Sequence, residues 1–174
     1  MKYFVKFFVV TFFLLFSTDV IAEQKIVVLD LKYVLNNSKA GKNAQDFLKK
    51  SYNNNLKKYA DMEKALKKEE QDLLTKKTVL SKEEYTKKTD ALRKKVIDFQ
   101  SQRRSAIDKI ATQRANSRET LIKTIDPILD AYIKENNIAL VVDKKVALGG
   151  LPENDITTII TEKLNKTLPS LNLK

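Results

Sequence analysis

The sequence contains no cysteine, no histidine and no tryptophan, and only three glycines and three prolines among 174 residues. Each absence closes a route. Without Cys no disulfide can staple a small fold. Without Cys or His the commonest metal ligands, nucleophile and general base are all missing. So little Gly and Pro leaves scant material for turns and points to long helices. There is no glycine-rich phosphate loop, and the carboxylates are dispersed among lysines. We therefore assign no catalytic, cofactor-binding or metal-binding residues and expect a protein that is not an enzyme and needs no cofactor.

Aromatic side chains are unevenly placed. Six of the eight Phe lie within "MKYFVKFFVVTFFLLFSTDVIAEQ", where Lys2 and Lys6 form a positive start, Phe7 to Phe16 an apolar run, and Val20-Ile21-Ala22 a small-residue cleavage site. This pattern is that of a secretory signal peptide cleaved after Ala22, and it implies an exported mature protein. The alternative, an uncleaved anchor, meets a short apolar run and a charge at Asp19, against the roughly 20 apolar residues a spanning helix needs. Removing Lys2, Lys6 and Asp19 changes the formal net charge only from +11 to +10. The basic character thus belongs to the mature chain, whose core must be built with Phe47, Phe99 and five tyrosines, Tyr33, Tyr52, Tyr59, Tyr85 and Tyr132.

What is present falls into three parts. "KIVVLD" (Lys25 to Asp30) and "IALVVD" (Ile138 to Asp143) are short β-branched runs that read as buried strands at opposite ends of the chain. "VAL" (Val146 to Leu148) before Gly149-Gly150 reads as a further short strand ahead of a turn, and "DITTIITEKLNKTL" as a closing helix with Asp155 as its cap. Between the strands, Tyr52, Tyr59, Leu66 and Leu73 recur every seven residues, with Leu48, Leu56 and Met62 at the intervening offsets, giving one apolar stripe on a long helix.

Ser81 and Glu84 have capping-box spacing and start a second helix with the stripe Tyr85, Leu92, Val96, Phe99, Ala106, Ile110, Leu121, Ile125, Leu129 and Tyr132. Arg103 and Arg114 interrupt that stripe. The two helices form an antiparallel hairpin projecting roughly 50 Å. At Asp126-Pro127 we favour a kink over a fresh helix start.

The expected organisation is a signal peptide at 1–22, a head built from 23–40 and 131–174, and a helical-hairpin arm at 41–130 with its tip near 76–81. The fold class is α+β, predominantly α. A head of some 60 to 70 residues without disulfides is marginal by itself, which predicts a homo-oligomer joined through Ile26, Val27, Val28, Leu29, Leu140, Val141 and Val142. On the arm, Lys57, Lys58, Tyr59, Met62, Lys67, Lys68, Lys94, Lys95, Arg103 and Arg104 are the candidate contacts for a partner. The seven-residue stripe reads mainly as packing within the hairpin, and the lysine pairs as a solvated face that also attracts acidic chains or anionic lipid. Arg103 and Arg104, adjacent on a helix, diverge in direction.

"VLDLKYVLNNSKAGKNAQDFL" resembles the start of the Skp/OmpH family of periplasmic chaperones on Asp30, Val34, Leu35, Ser38, Ala40, Gly41, Lys42, Ala44 and Gln45. "IALVVD" with "VALGGLPENDITTIITEKLN" is similar to that family's end, strand, strand, then a helix opening on D-I-T. The resemblance implies a jellyfish-like trimer, a β-rich body with three helical tentacles around a cavity. It also implies ATP-independent holding of unfolded outer-membrane β-barrel proteins and their delivery towards the outer membrane. Contact with anionic lipid or lipopolysaccharide is a further partner of this kind, although the family's lipopolysaccharide site does not map onto residues here. Two other readings stand beside it: an exported coiled-coil scaffold at a membrane surface, and a basic nucleic-acid-binding module. The export signal argues against nucleic acid as a physiological partner.

Overall fold

The computed structural model describes residues 25–173; the signal-peptide reading of 1–22 lies outside the described residues. Strand β1 (Lys25–Leu29) alternates, with Val27 and Leu29 buried and Ile26 exposed, as a strand with one covered face must. Asp30 then caps helix α1 (Leu31–Asn37), its carboxylate accepting from the Tyr33 N–H at 2.7 Å. Ser38, fully buried, ends α1 and caps helix α2 (Lys39–Thr75), its hydroxyl accepting from the Gly41 N–H at 3.1 Å. One residue thus turns the chain between two helices.

Helix α2 has 37 residues and reaches about 55 Å. A turn over 76–81 reverses it into helix α3 (Lys82–Glu135). Both halves of the capping box are present: the Glu84 N–H donates to Ser81 Oγ at 3.2 Å, and the Ser81 N–H donates to Glu84 Oε2 at 3.3 Å. Pro127 sits inside α3, which stays helical to Glu135, so Asp126 does not start a new helix. Proline removes one helical hydrogen bond here, in a stretch of α3 that Leu121 and Ile125 anchor in the head core.

Strand β2 (Ile138–Asp143) returns parallel to β1, with Ile26 opposite Leu140, Val27 opposite Val141 and Val28 opposite Val142. Parallel strands need a long crossover, and here the whole helical hairpin serves as one. Val146 to Leu148, expected as a strand, is not one: the Val146 N–H closes a turn on the Asp143 carbonyl and Leu148 is fully exposed. The described sheet has two strands. A 3₁₀ turn (Pro152–Asn154) leads into helix α4 (Thr157–Thr167).

Asp155 precedes α4 rather than standing next to it, because Ile156 holds the cap position and donates its N–H to the Val28 carbonyl. Asp155 instead accepts from the Thr157 N–H at 3.0 Å and from Lys144 Nζ at 2.6 Å, tying the closing segment to the end of β2. Burial alone pushes the Asp155 carboxyl up, but Lys144 and the Thr157 hydroxyl and amide together hold it below the usual carboxylate value. The hydrogen bond to Asp155 and its charge raise Lys144. A depressed carboxylate contributes stability above its unfolded value and loses it as pH falls through the folded one. A raised lysine contributes below its unfolded value and loses it as pH rises through the folded one. The pair is therefore complete between the two ranges. We expect Asp155→Asn to flatten the acid limb of the melting temperature against pH while leaving the neutral plateau only slightly lower; an unchanged acid limb would refute the pairing.

The core joins Val27, Leu29, Val34, Leu35, Ala40, Leu121, Ile125, Ile138, Ile156, Ile160 and Leu164. Leu121 and Ile125 belong to α3, so the root of the arm is packed into the head.

Candidate functional site

Along the arm α2 and α3 meet over a narrow seam. On α2 the inward positions run Ala44, Leu48, Ser51, Asn55, Tyr59, Met62, Leu66 and Leu73, and on α3 Tyr85, Thr89, Leu92, Val96, Phe99, Ala106, Ile110, Gln113 and Ser117. Tyr59 is the centre of this contact. Its ring meets Phe99 edge to face, with centroids 6.1 Å apart, and its hydroxyl donates to the Gln102 carbonyl at 3.0 Å. Lys58 Nζ lies 5.4 Å from the same ring. Tyr59, a candidate for partner contact, is therefore buried within the hairpin. We expect Tyr59→Phe to cost about 1 kcal/mol and Phe99→Ala about 3 kcal/mol in urea unfolding, since the first removes one hydrogen bond and the second leaves a hole. Equal midpoints for wild type and Phe99→Ala would show that this contact does not close the arm.

Tyr52 and Leu56, expected on the stripe, are about half exposed, at 51% and 52%. A seven-residue step falls about 20° short of two turns in a straight helix, and Leu56 lies about 60° round from Tyr59. The seam takes the polar Ser51 and Asn55 in their place. On the other side the small, buried Ser117 donates its hydroxyl to the Gln113 carbonyl at 2.6 Å. The seam therefore closes tightly near Tyr59 and leaves grooves on either side of it.

The outer groove, about 810 Å³, has an apolar floor of Leu66, Leu92, Val96 and Phe99, with the exposed Ile107 at its edge. Lys67, Arg93, Arg103 and Arg104 stand on its rim together with Glu63, Glu70 and Asp108. Arg103 and Arg104 thus reach one groove despite their divergence, because long side chains curve back over the helix surface. Lys67 pairs with Glu63 at 2.9 Å, which raises the lysine, and the same hydrogen bond together with the Lys67 and Arg103 charges lowers the Glu63 carboxyl. Lys95 crosses the hairpin to Glu69 at 2.6 Å. Lys57, Lys68 and Lys94 are exposed and make no ion pair among the described residues. Met62 is half-buried.

Four apolar side chains that spacing did not single out are open to solvent: Leu74 at 58%, Val79 at 83%, Ile97 at 58% and Ile107 at 56%. Their only sequence signal is that they lie off the stripe. Of the strand residues, Val27 and Leu29 face the single-chain core and Val141 packs against it, whereas Ile26 and Leu140 are exposed side by side, with Val28 and Val142 half-buried. Among the described residues no cluster of His, Cys, Asp and Glu could hold a metal, and no helix is long and apolar enough to cross a membrane.

The family described as "Outer membrane protein (OmpH-like)" matches residues 25–164. No curated protein matches the chain. The crystal structure of an OmpH-like outer membrane chaperone from Caulobacter crescentus CB15 superposes with a TM-score of 0.79 at 15% sequence identity, covering 88% of this chain and 90% of that one. At that identity the likeness is one of fold.

Proposed function

This chain belongs to the OmpH-like family, and on that premise we propose that it is an ATP-independent holdase of the periplasm that keeps unfolded outer-membrane β-barrel proteins from aggregating and assists their delivery to the outer membrane. The observation that carries this reading is the arm's surface. Tyr52, Leu56, Leu74, Val79, Ile97 and Ile107 stand exposed one by one among lysines and arginines, while a narrow seam holds the two helices together. Isolated apolar side chains give weak, replaceable contacts, unlike the contiguous patches that mark permanent interfaces. Lysine stems extend the apolar cover while their heads remain hydrated. The net positive charge attracts acidic unfolded segments over a Debye length of about 8 to 10 Å. Binding the unfolded state shifts its equilibrium by mass action, and a better folding partner can then compete the client away without nucleotide hydrolysis.

The head supports a homotrimer in this reading. A two-stranded sheet is marginal in water by itself, and among the described residues the outer face of this one leaves Ile26 and Leu140 about half exposed. Three such faces brought together would bury them and set the three arms around a common space. Residues 1–22 supply the export signal in the same reading. Anionic lipid or lipopolysaccharide remains a secondary contact for the unpaired lysines.

The test is light scattering after dilution of a urea-unfolded outer-membrane β-barrel protein into buffer with and without this protein, lacking nucleotide, at low and high salt. We expect suppressed aggregation at one trimer per client, weaker at high salt. Unsuppressed scattering at both salt concentrations would remove the holdase reading.

A further inference from the structure

A second cavity, about 670 Å³, opens at the root of the arm where α1, α2 and α3 meet. Its floor is apolar and buried: Leu35, Ala44, Leu48 and Leu121. The facing positions that line this space are small, Ala44 on α2 and Ser117 on α3. Its rim carries Lys49, Arg114 and Arg118 and, unlike the outer groove, no carboxylate. None of these three cations has an ion-pair partner among the described residues. Arg114 and Arg118 are one helical turn apart and so lie on one face of α3. Beside them Gln45 Nε2 donates to Asn36 Oδ1 at 3.0 Å, a bond that fixes the two amides at the edge of the cavity.

An apolar floor of a few side chains beneath an uncompensated cationic rim suits a ligand with one apolar group close to one anion. The held amide pair leaves Gln45 Oε1 as an acceptor and Asn36 Nδ2 as a donor. A peptide group needs both, whereas a phosphate headgroup needs donors only. The volume fits a few residues of extended chain, within the usual range for a ligand pocket, and not several acyl chains. From this we propose that the root cavity binds the free C-terminal carboxylate of an unfolded polypeptide whose last side chain is apolar, with Arg118 and Arg114 on the carboxylate and the terminal side chain over Leu48 and Leu121. The inference rests on the holdase reading and deepens it, giving an otherwise unspecific arm a point at which one chain end is recognised.

The experiment is fluorescence anisotropy of an N-terminally labelled, unstructured ten-residue peptide ending in Phe, as the free acid and as the C-terminal amide, against the wild-type protein and Arg114→Gln/Arg118→Gln. Both arginines are exposed, so the variant is expected to fold, which a melting curve checks. We expect the wild type to bind the acid at least about tenfold more tightly than the amide, as charge-assisted contacts to a carboxylate allow, and the variant to treat the two within about twofold. Equal affinity for acid and amide in the wild type, binding of neither, or discrimination that survives in the variant overturns the proposal. Loss of binding to phosphatidylglycerol vesicles in the variant, with acid and amide alike throughout, would reassign the cavity to a lipid headgroup. The scattering assay run on the same samples separates the two readings: clients protected without acid–amide discrimination reject the cavity alone, whereas unprotected clients reject the holdase.

Discussion

Gly41→Ala, where the arm leaves the head, is expected to be among the most damaging single substitutions, although it replaces glycine within a helix by the best helix former. By propensity alone the change should stabilise α2 by about 1 kcal/mol. The tertiary contact reverses the sign. A Cβ at Gly41 would overlap the Leu35 carbonyl oxygen and stand 2.9 Å from Ser38 Oγ, the atom that caps α2. The obstacle is backbone, which cannot rotate away. The α1–α2 junction would have to open, pulling Leu35 and Ala40 from the core. We expect a loss of about 3 kcal/mol or more, at the upper end of overpacking costs, and a fall in melting temperature of roughly 6 to 12 °C. Gly149→Ala and Gly150→Ala are the controls, since a Cβ at either meets nothing within 4 Å. A Gly41→Ala protein as stable as wild type would mean that the two helices do not approach as described.

Leu140→Asp should separate assembly from folding. Leu140 is 54% exposed in the single chain and lies opposite Ile26, itself 55% exposed. A carboxylate there costs an isolated chain little. At a subunit interface the same charge would be buried without a partner, at several kcal/mol for each subunit, enough to weaken association more than about 100-fold. We expect the variant to sediment as a folded monomer at concentrations where the wild type is an oligomer. Val141→Asp, one position on, should lose fold and assembly together, because Val141 packs against the core of its own chain. If Leu140→Asp sediments as the wild type does, the outer sheet face is not the interface.

Much of the architecture is legible in local chemistry. Ser81, a short polar side chain directly ahead of helical periodicity, accepts from the Glu84 N–H as its spacing predicts; Asp30 and Ser38 cap α1 and α2 in the same way, although neither is among the caps expected from the sequence. Such signals are readable because both partners lie within three residues. The strands are equally legible, since two β-branched runs are distinctive in a chain otherwise built of helix formers. Val146 to Leu148 shows where composition alone misleads: the residues suit a strand, but no backbone among the described residues pairs with them as a strand. Asp155 is another such case. Its spacing suits a cap, but the bond from Ile156 to Val28 takes the backbone into an extended bridge first and moves the helix start along.

The sequence by itself determined the predominance of long charged helices, the two short strands, the capping box at Ser81 and the narrow apolar stripes, because these follow from turn chemistry and from periods that any segment carries alone. It also carried the resemblance to the family at both ends. Only the tertiary structure decided which side of each stripe faces inward. Tyr59 turns into the seam, where the opposing helix offers Phe99, while Tyr52, seven residues earlier and about 20° off, stays half exposed at the edge of the root cavity. Likewise the parallel sense of the strands, the close approach at Gly41 and the gathering of Lys49, Arg114 and Arg118 on one rim join residues far apart in the chain. Such contacts arise from how rigid helices pack, which no local pattern encodes.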